Sequence, residues 1–188
     1  MLTVLALYIR NNMLKKIPTT ERGFTLLEVV VAIGLLIMVF GGVTGLAILN
    51  SEAGKSSKNN LVAAYLAKEG QELVRYKRDL NYILLVSPFS SIATESDGAV
   101  LYFTINYDGT VAAVSSPDVT LTTALGNTGS VYAQGSGTAS IFHRLVTTTY
   151  HAAAGVLPAR IDVKVDVYWK EDTKQSTYTL TSELTDWR

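Results

Sequence analysis

Residues 22–49 read RGFTLLEVVVAIGLLIMVFGGVTGLAIL, and this stretch decides the architecture of the chain. Beyond Gly23 only one charge interrupts it, Glu28. At about 1.5 Å of rise per residue, a helix over residues 24–49 exceeds the ~30 Å hydrocarbon core of a bilayer. A secretory signal peptide fits poorly, because its apolar core is about 7–15 residues long and ends in a small-x-small site. Here the apolar run is longer, and a basic flank ends in glycine directly before it. An ordinary membrane anchor remains the plainest alternative.

The surroundings sharpen that reading. Apolar residues make up 48% of the 188 and charged residues 17%, leaner in charge than the ~25% of a soluble domain. The excess is confined to this block. Formal net charge is zero, which gives no case for nucleic-acid binding. Its distribution is uneven: Arg10, Lys15, Lys16 and Arg22 face only Glu21 in residues 1–23, so the remainder is net negative by three. A basic flank before an apolar span keeps an N-terminus in the cytoplasm. The absence of cysteine excludes disulfides and thiolate metal sites, so an exported domain must rest on its core and its ladders.

Beyond residue 49 the helical pattern continues on another footing. Val62, Ala63, Leu66, Ala67, Gly70, Leu73, Val74 and Leu80 fall near a 3.6-residue stripe, with Glu52, Lys55, Lys58, Lys68, Glu72, Arg75 and Arg78 mostly off it. Pro88 places the helix end before residue 88. The rest predicts β-structure: residues 99–107 as a strand, Asp108-Gly109 as a hairpin turn, and residues 110–114 as its partner. Residues 115–137 predict a Gly/Ser/Thr-rich loop region with short strands. Residues 140–150 predict a strand. Residues 160–170 alternate strictly, with Ile161, Val163, Val165, Val167 and Trp169 against Asp162, Lys164, Asp166, Tyr168 and Lys170. Residues 171–175 predict a turn, and residues 176–184 return with Tyr178, Leu180 and Leu184 on one face. Such alternation means one buried and one wet face. The expected fold is α+β: a long N-terminal helix whose second half packs on a small antiparallel sheet. Four regions follow: a leader (1–23), an apolar helix (24–49), its amphipathic continuation (50–80) and a β-rich head (81–188).

The segment Arg22-Gly23-Phe24-Thr25-Leu26-Leu27-Glu28, followed by apolar residues to Leu49, resembles the signal of type IV pilins and pseudopilins. The resemblance implies a membrane prepilin peptidase that cuts between Gly23 and Phe24 on the cytoplasmic side and methylates the new Phe24 amine. It implies a precursor held in the cytoplasmic membrane as a single pass. A place in an extracellular or periplasmic filament follows, with other pilin subunits and an assembly platform as partners. Met13 would then be the natural start of a short leader. The resemblance thins later. Residues 67–75 (AKEGQELVR), Arg78-Asp79, Asn81, the pattern Val165-x-Val167-x-Trp169 and the ending Leu184-Thr185-Asp186-Trp187 are similar to minor pilins of the modification class and to I-type pseudopilins. They favour a minor subunit, with a secretion pseudopilin as the alternative. A membrane-anchored ligand-binding β-domain that never assembles is the alternative of another class.

Glu28 has a physical reading of its own. A carboxylate in an apolar span costs about 2.5–3.5 kcal/mol on insertion scales and calls for a partner. Nothing else in residues 24–49 neutralises it, whereas a Phe24 amine freed by cleavage does. Glu28 then sets the register between subunits; the alternative is a protonated or snorkelling side chain. Gly34, Gly41, Gly42 and Gly45 lie in the same span, and Gly41 with Gly45 forms a small-xxx-small pair that lets helices approach closely. Many pilins carry a proline at the position of Gly45, where the helix softens; here glycine stands instead, and close packing and softening are both open.

No catalytic constellation is evident, and no enzyme or cofactor is expected. His143 and His151 are expected as surface or packed histidines without an ordered acidic partner. Gly126, Gly129, Gly135 and Gly137 lack the Gly-Lys-Ser/Thr of a phosphate loop, and no Gly-x-Ser-x-Gly occurs. Asp162, Asp166, Glu171 and Asp172 read as a solvated charge ladder before a calcium site. Tyr102, Phe103, Tyr107, Trp169 and Tyr178 read as β-core or cross-strand pairs.

Overall fold

The structure is a computed structural model that describes residues 23–118, 122–127, 132–134, 137–171 and 173–186. The expected leader up to Arg22, including Met13, lies outside the described residues, as do Asp172 and Trp187. The chain divides into two compact units between Ser51 and Glu52.

Among the described residues one helix, α1 (Leu26–Ile83), runs for 58 residues. Eight strands follow it among the described residues: β1 (Val100–Ile105), β2 (Val111–Ala113), β3 (Leu125–Asn127), β4 (Tyr132–Gln134), β5 (Thr138–Ala139), β6 (Phe142–His151), β7 (Arg160–Glu171) and β8 (Lys174–Thr185). A five-stranded sheet has the order β2-β1-β6-β7-β8, and a small sheet has β4-β3-β5. Every pairing is antiparallel. The fold is therefore α+β, with α1 packed on antiparallel sheet.

In the unit that begins at Glu52, the α1 stripe and the inward β residues close one core. Ala63, Leu66, Ala67 and Val74 meet Phe103, Ile105, Val146, Val163, Val165, Val167 and Trp169, all buried. The β7 alternation places Ile161, Val163, Val165, Val167 and Trp169 inside as expected. Tyr178, Leu180 and Leu184 pack on the same side from β8. Phe103 and Trp169 join the core, with Trp169 tilted against Phe142 at a 6.0 Å ring separation. Tyr107 departs from its expected role. It sits exposed in the β1–β2 loop, because the turn takes three residues, not two. Asn106 and Thr110 close that loop, Gly109 N–H donates to the Asn106 carbonyl, and Gly109 adopts φ +79°. A type I turn completed by a left-handed glycine has this form.

Two boundaries and the placing of one arginine also differ from expectation. The 171–175 turn is tighter, since the β7–β8 ladder continues to the Glu171–Lys174 pair, where opposite charges face each other. Arg78 is buried on the helix's inner side: its Nε donates to Asp79 Oδ1 at 2.8 Å and its Nη1 to the Thr185 carbonyl at 3.3 Å, which fastens α1 to the end of β8. The helix also runs three residues past Leu80. It ends because Val86 N–H donates to the Asn81 carbonyl and Leu85 N–H to the Tyr82 carbonyl, with Leu85 at φ +56°. This is a Schellman stop with leucine in the left-handed place that glycine usually fills. The loop beyond is tethered from the core: the buried Asn81 Nδ2 donates to the Pro88 and Ser90 carbonyls, and Thr148 Oγ1 to the Ile92 carbonyl at 2.6 Å.

Candidate functional site: the start of the long helix

Gly23, Phe24 and Thr25 precede α1 in extended or irregular backbone, and the helix begins at Leu26. Thr25 is its N-cap. The Thr25 Oγ1 accepts the Glu28 N–H at 3.2 Å, and the Thr25 carbonyl accepts the Val29 N–H at 3.2 Å. A Thr-x-x-Glu spacing is the capping-box signature, legible in the sequence though not picked out there. It fixes the first turn immediately after the Gly23–Phe24 bond. Glu28, in that turn, is favoured by the partial positive charge of a helix N-terminus, worth about 0.3–1 kcal/mol.

Around this start the surface is apolar and uncovered. Phe24 is 81% exposed, and every residue from 24 to 50 is exposed. The Glu28 carboxylate has no ion pair among the described residues. Cβ atoms built on Gly23, Gly34, Gly41, Gly42 or Gly45 would meet nothing within 4 Å. The helical glycines Gly34, Gly41, Gly42 and Gly45 therefore leave open space beside the helix among the described residues. Thr44 Oγ1 donates back to the Phe40 carbonyl at 2.8 Å, so the one hydroxyl in the middle of the span spends its proton internally. α1 is the one helix among the described residues long and apolar enough, by length and composition, to cross a membrane.

Among the described residues no group of three potential ligands could hold a metal ion. The described members of the acidic cluster, Asp162, Asp166 and Glu171, make separate contacts. Asp162 Oδ2 lies 2.8 Å from His151 Nε2. Asp166, expected on the wet face, is largely buried, where its carboxylate accepts from Thr179 Oγ1 at 2.6 Å and pairs with Lys164 Nζ at 2.8 Å. The Glu171 carboxylate accepts from Asn59 Nδ2 and from Trp169 Nε1. His151 thus does have an acidic partner, contrary to expectation, because residues eleven apart in sequence become neighbours across the β6–β7 ladder. His143 Nδ1 contacts the Thr122 carbonyl at 2.6 Å, and its ring packs on Tyr168.

Arg144 is the charged residue that sequence reading missed. Its side chain is fully buried beneath α1. Nη1 donates to the Leu66 carbonyl at 3.1 Å and lies 3.3 Å from Glu69 Oε2, while Nη2 donates to the Ile105 carbonyl at 2.8 Å. Burial lowers its pKa from the usual arginine value, and the Glu69 carboxylate opposes that shift. Contacts distant in sequence made it invisible: its partners are residues 66, 69 and 105. Asp108, in the β1–β2 loop, is held below the ordinary aspartate range by hydrogen bonds from Thr110, whose N–H donates to Asp108 Oδ1 at 2.9 Å.

Comparisons with protein-family models, curated proteins and solved structures return no match.

Proposed function

We propose that this chain is a structural subunit, a minor one, of a type IV pilus or related filament, made as a membrane-held precursor and cut between Gly23 and Phe24. The observation that carries the reading is the start of α1. There a glycine–phenylalanine bond stands directly before a capped helix whose apolar span, residues 24–49, holds one carboxylate, Glu28, without an ion pair among the described residues and on an exposed apolar surface.

Cleavage creates an amine at Phe24. That positive charge stands at the positive end of a helix dipole, an unfavourable place for it. A carboxylate one turn away, or on the neighbouring helix, offsets both charges. Moving the apolar helix from lipid into a bundle of like helices gains little hydrophobic energy, since lipid tails are as apolar as leucine. Specificity then falls to packing along the open faces of Gly34, Gly41, Gly42 and Gly45 and to the Glu28–Phe24 pair. On this reading the partners are a prepilin peptidase that also methylates Phe24, other subunits, an assembly platform and the membrane. The precursor is a cytoplasmic-membrane protein with its N-terminus in the cytoplasm, and the product is an extracellular or periplasmic filament.

Mass spectrometry of the protein from its native membrane tests this directly. The expected N-terminus is Phe24 carrying one methyl group. A chain that still begins upstream of residue 24 overturns the proposal and leaves the second reading. That reading is an anchored β-domain that keeps its leader, which the same uncovered apolar helix supports by anchoring alone.

A further inference from the structure

Two apolar features of the β-rich unit lie on the same molecule and cannot meet within it. The first is the turn that ends α1. Ile83, Leu84, Leu85 and Val86 are all exposed, Leu85 at 93%, and Leu85 is held there in a left-handed backbone conformation that disfavours leucine. The second is a groove of about 330 Å³ between α1 and β8, lined by Leu61, Ala64, Tyr65, Tyr178 and Leu180 with Lys68 beside them. β8 is an edge strand, so nothing in its own sheet shields that side. Along α1 the centre of the groove and the turn are some eighteen residues apart, roughly 27 Å at helical rise. The turn of one copy therefore cannot fill its own groove.

We propose that the turn at residues 83–86 docks into the α1–β8 groove of a second copy of this chain. The charges agree with that occupant. Lys68 makes no ion pair among the described residues, and Glu95, tied to the turn by a hydrogen bond from Ser87 Oγ, makes none either. Docking the turn brings an unpaired carboxylate toward an unpaired ammonium. The groove's own carboxylate, Glu72, is already held by Arg75 at 2.8 Å. Because the two surfaces differ, the contact is heterologous: each copy keeps a free turn at one end and a free groove at the other, and the series does not close on itself unless the rotation happens to make a ring. The inference adds a contact between β-rich units to the helix-mediated assembly proposed above, and rests on that reading only for the crowding of copies side by side.

The chain has no cysteine, so introduced thiols report cleanly. Full-length Y65C and L85C chains with different tags are co-expressed and oxidised in their membranes. A Y65C and V156C pair serves as control, since Val156 is equally exposed on a different loop. The expected result is a doubly tagged disulfide dimer at least tenfold above the control. K68E in the Y65C chain, or E95K in the L85C chain, lowers that yield at least threefold, and the two together restore it. Equal yields for the two cysteine pairs, or a charge-swapped pair that stays as low as the single reversals, overturn the inference. Mass spectrometry of the N-terminus in the same samples separates the two proposals. Cross-linked but uncut protein sinks the filament reading alone, and cut protein without cross-links sinks this one alone.

Discussion

Gly70 and Arg144 touch where a side chain on residue 70 would stand: a Cβ there would lie 3.0 Å from Arg144 Cδ and 3.0 Å from Val165 Cγ1. The missing Cβ is what lets α1 settle on β6 and β7 with a buried guanidinium between them. Gly70→Ala gains about 1 kcal/mol of helix propensity and loses about 1–3 kcal/mol to overpacking. A net loss near 1 kcal/mol is expected, and more for Gly70→Val. Denaturant midpoints of the two variants at unchanged slope check this; a Gly70→Val variant as stable as the parent contradicts it.

The Arg144–Glu69 pair sits in the same seam. Removing the carboxylate alone strands a buried charge, a class of change that costs about 3–5 kcal/mol when both partners are deeply buried. Glu69 is about a third exposed, so Glu69→Ala is expected nearer 2 kcal/mol. Arg144→Met instead leaves the Ile105 carbonyl without its donor, at about 1–3 kcal/mol. A double-mutant cycle should show the two losses falling short of additivity by at least 0.5 kcal/mol, on the order expected for contacting residues.

Thr25→Ala removes the N-cap and should loosen the first turn of α1 by about 1 kcal/mol. Amide exchange at Leu27 and Glu28 reads this out, with no change expected in exchange of the β7 amides. Glu28→Ala is expected to be cut at the same bond yet to stay out of filaments. Normal incorporation of that variant contradicts the registry role.

Leu85→Gly relieves a left-handed leucine and should stabilise the isolated fold by roughly 1 kcal/mol, the usual cost of that conformation for a residue with a Cβ. Thermal unfolding checks the sign. A loss of stability would mean that the exposed leucine side chain packs within its own copy.

Asp108 should titrate below the ordinary aspartate value of about 3.9. Its carboxylate accepts from Thr110 in the folded loop, so the folded pKa is lowered. The stabilisation is therefore complete above the unfolded value and is lost as pH falls through the folded one. Carboxylate titration by nuclear magnetic resonance reads it directly. A midpoint at or above the free value contradicts the loop geometry.

Most of the fold was written in periodicity. Alternation over residues 160–170 and the stripe from Val62 to Val74 each declare one buried face, because burial rewards a local repeat that matches the element's own period. Arg78 and Asp166 escaped that logic. Both are polar residues covered through partners on other elements, Thr185 for the arginine and Thr179 for the aspartate, and no local pattern encodes such partners. The candidate site was more legible than the core's polar seam, since Gly23, Phe24, Thr25 and Glu28 are consecutive or one turn apart.

What the sequence alone determined is what short-range order and solvation decide: an apolar helix with one acid, its capped start, and the inward faces of β7 and β8. Only the tertiary structure decided the strand order, the burial of Arg144 under Gly70, the His151–Asp162 contact and the exposed leucine at the end of α1. The first three depend on which distant segments come within a few ångströms of one another, a property of packing; the leucine's place is set by the left-handed stop within residues 81–86, which no glycine in the sequence marks.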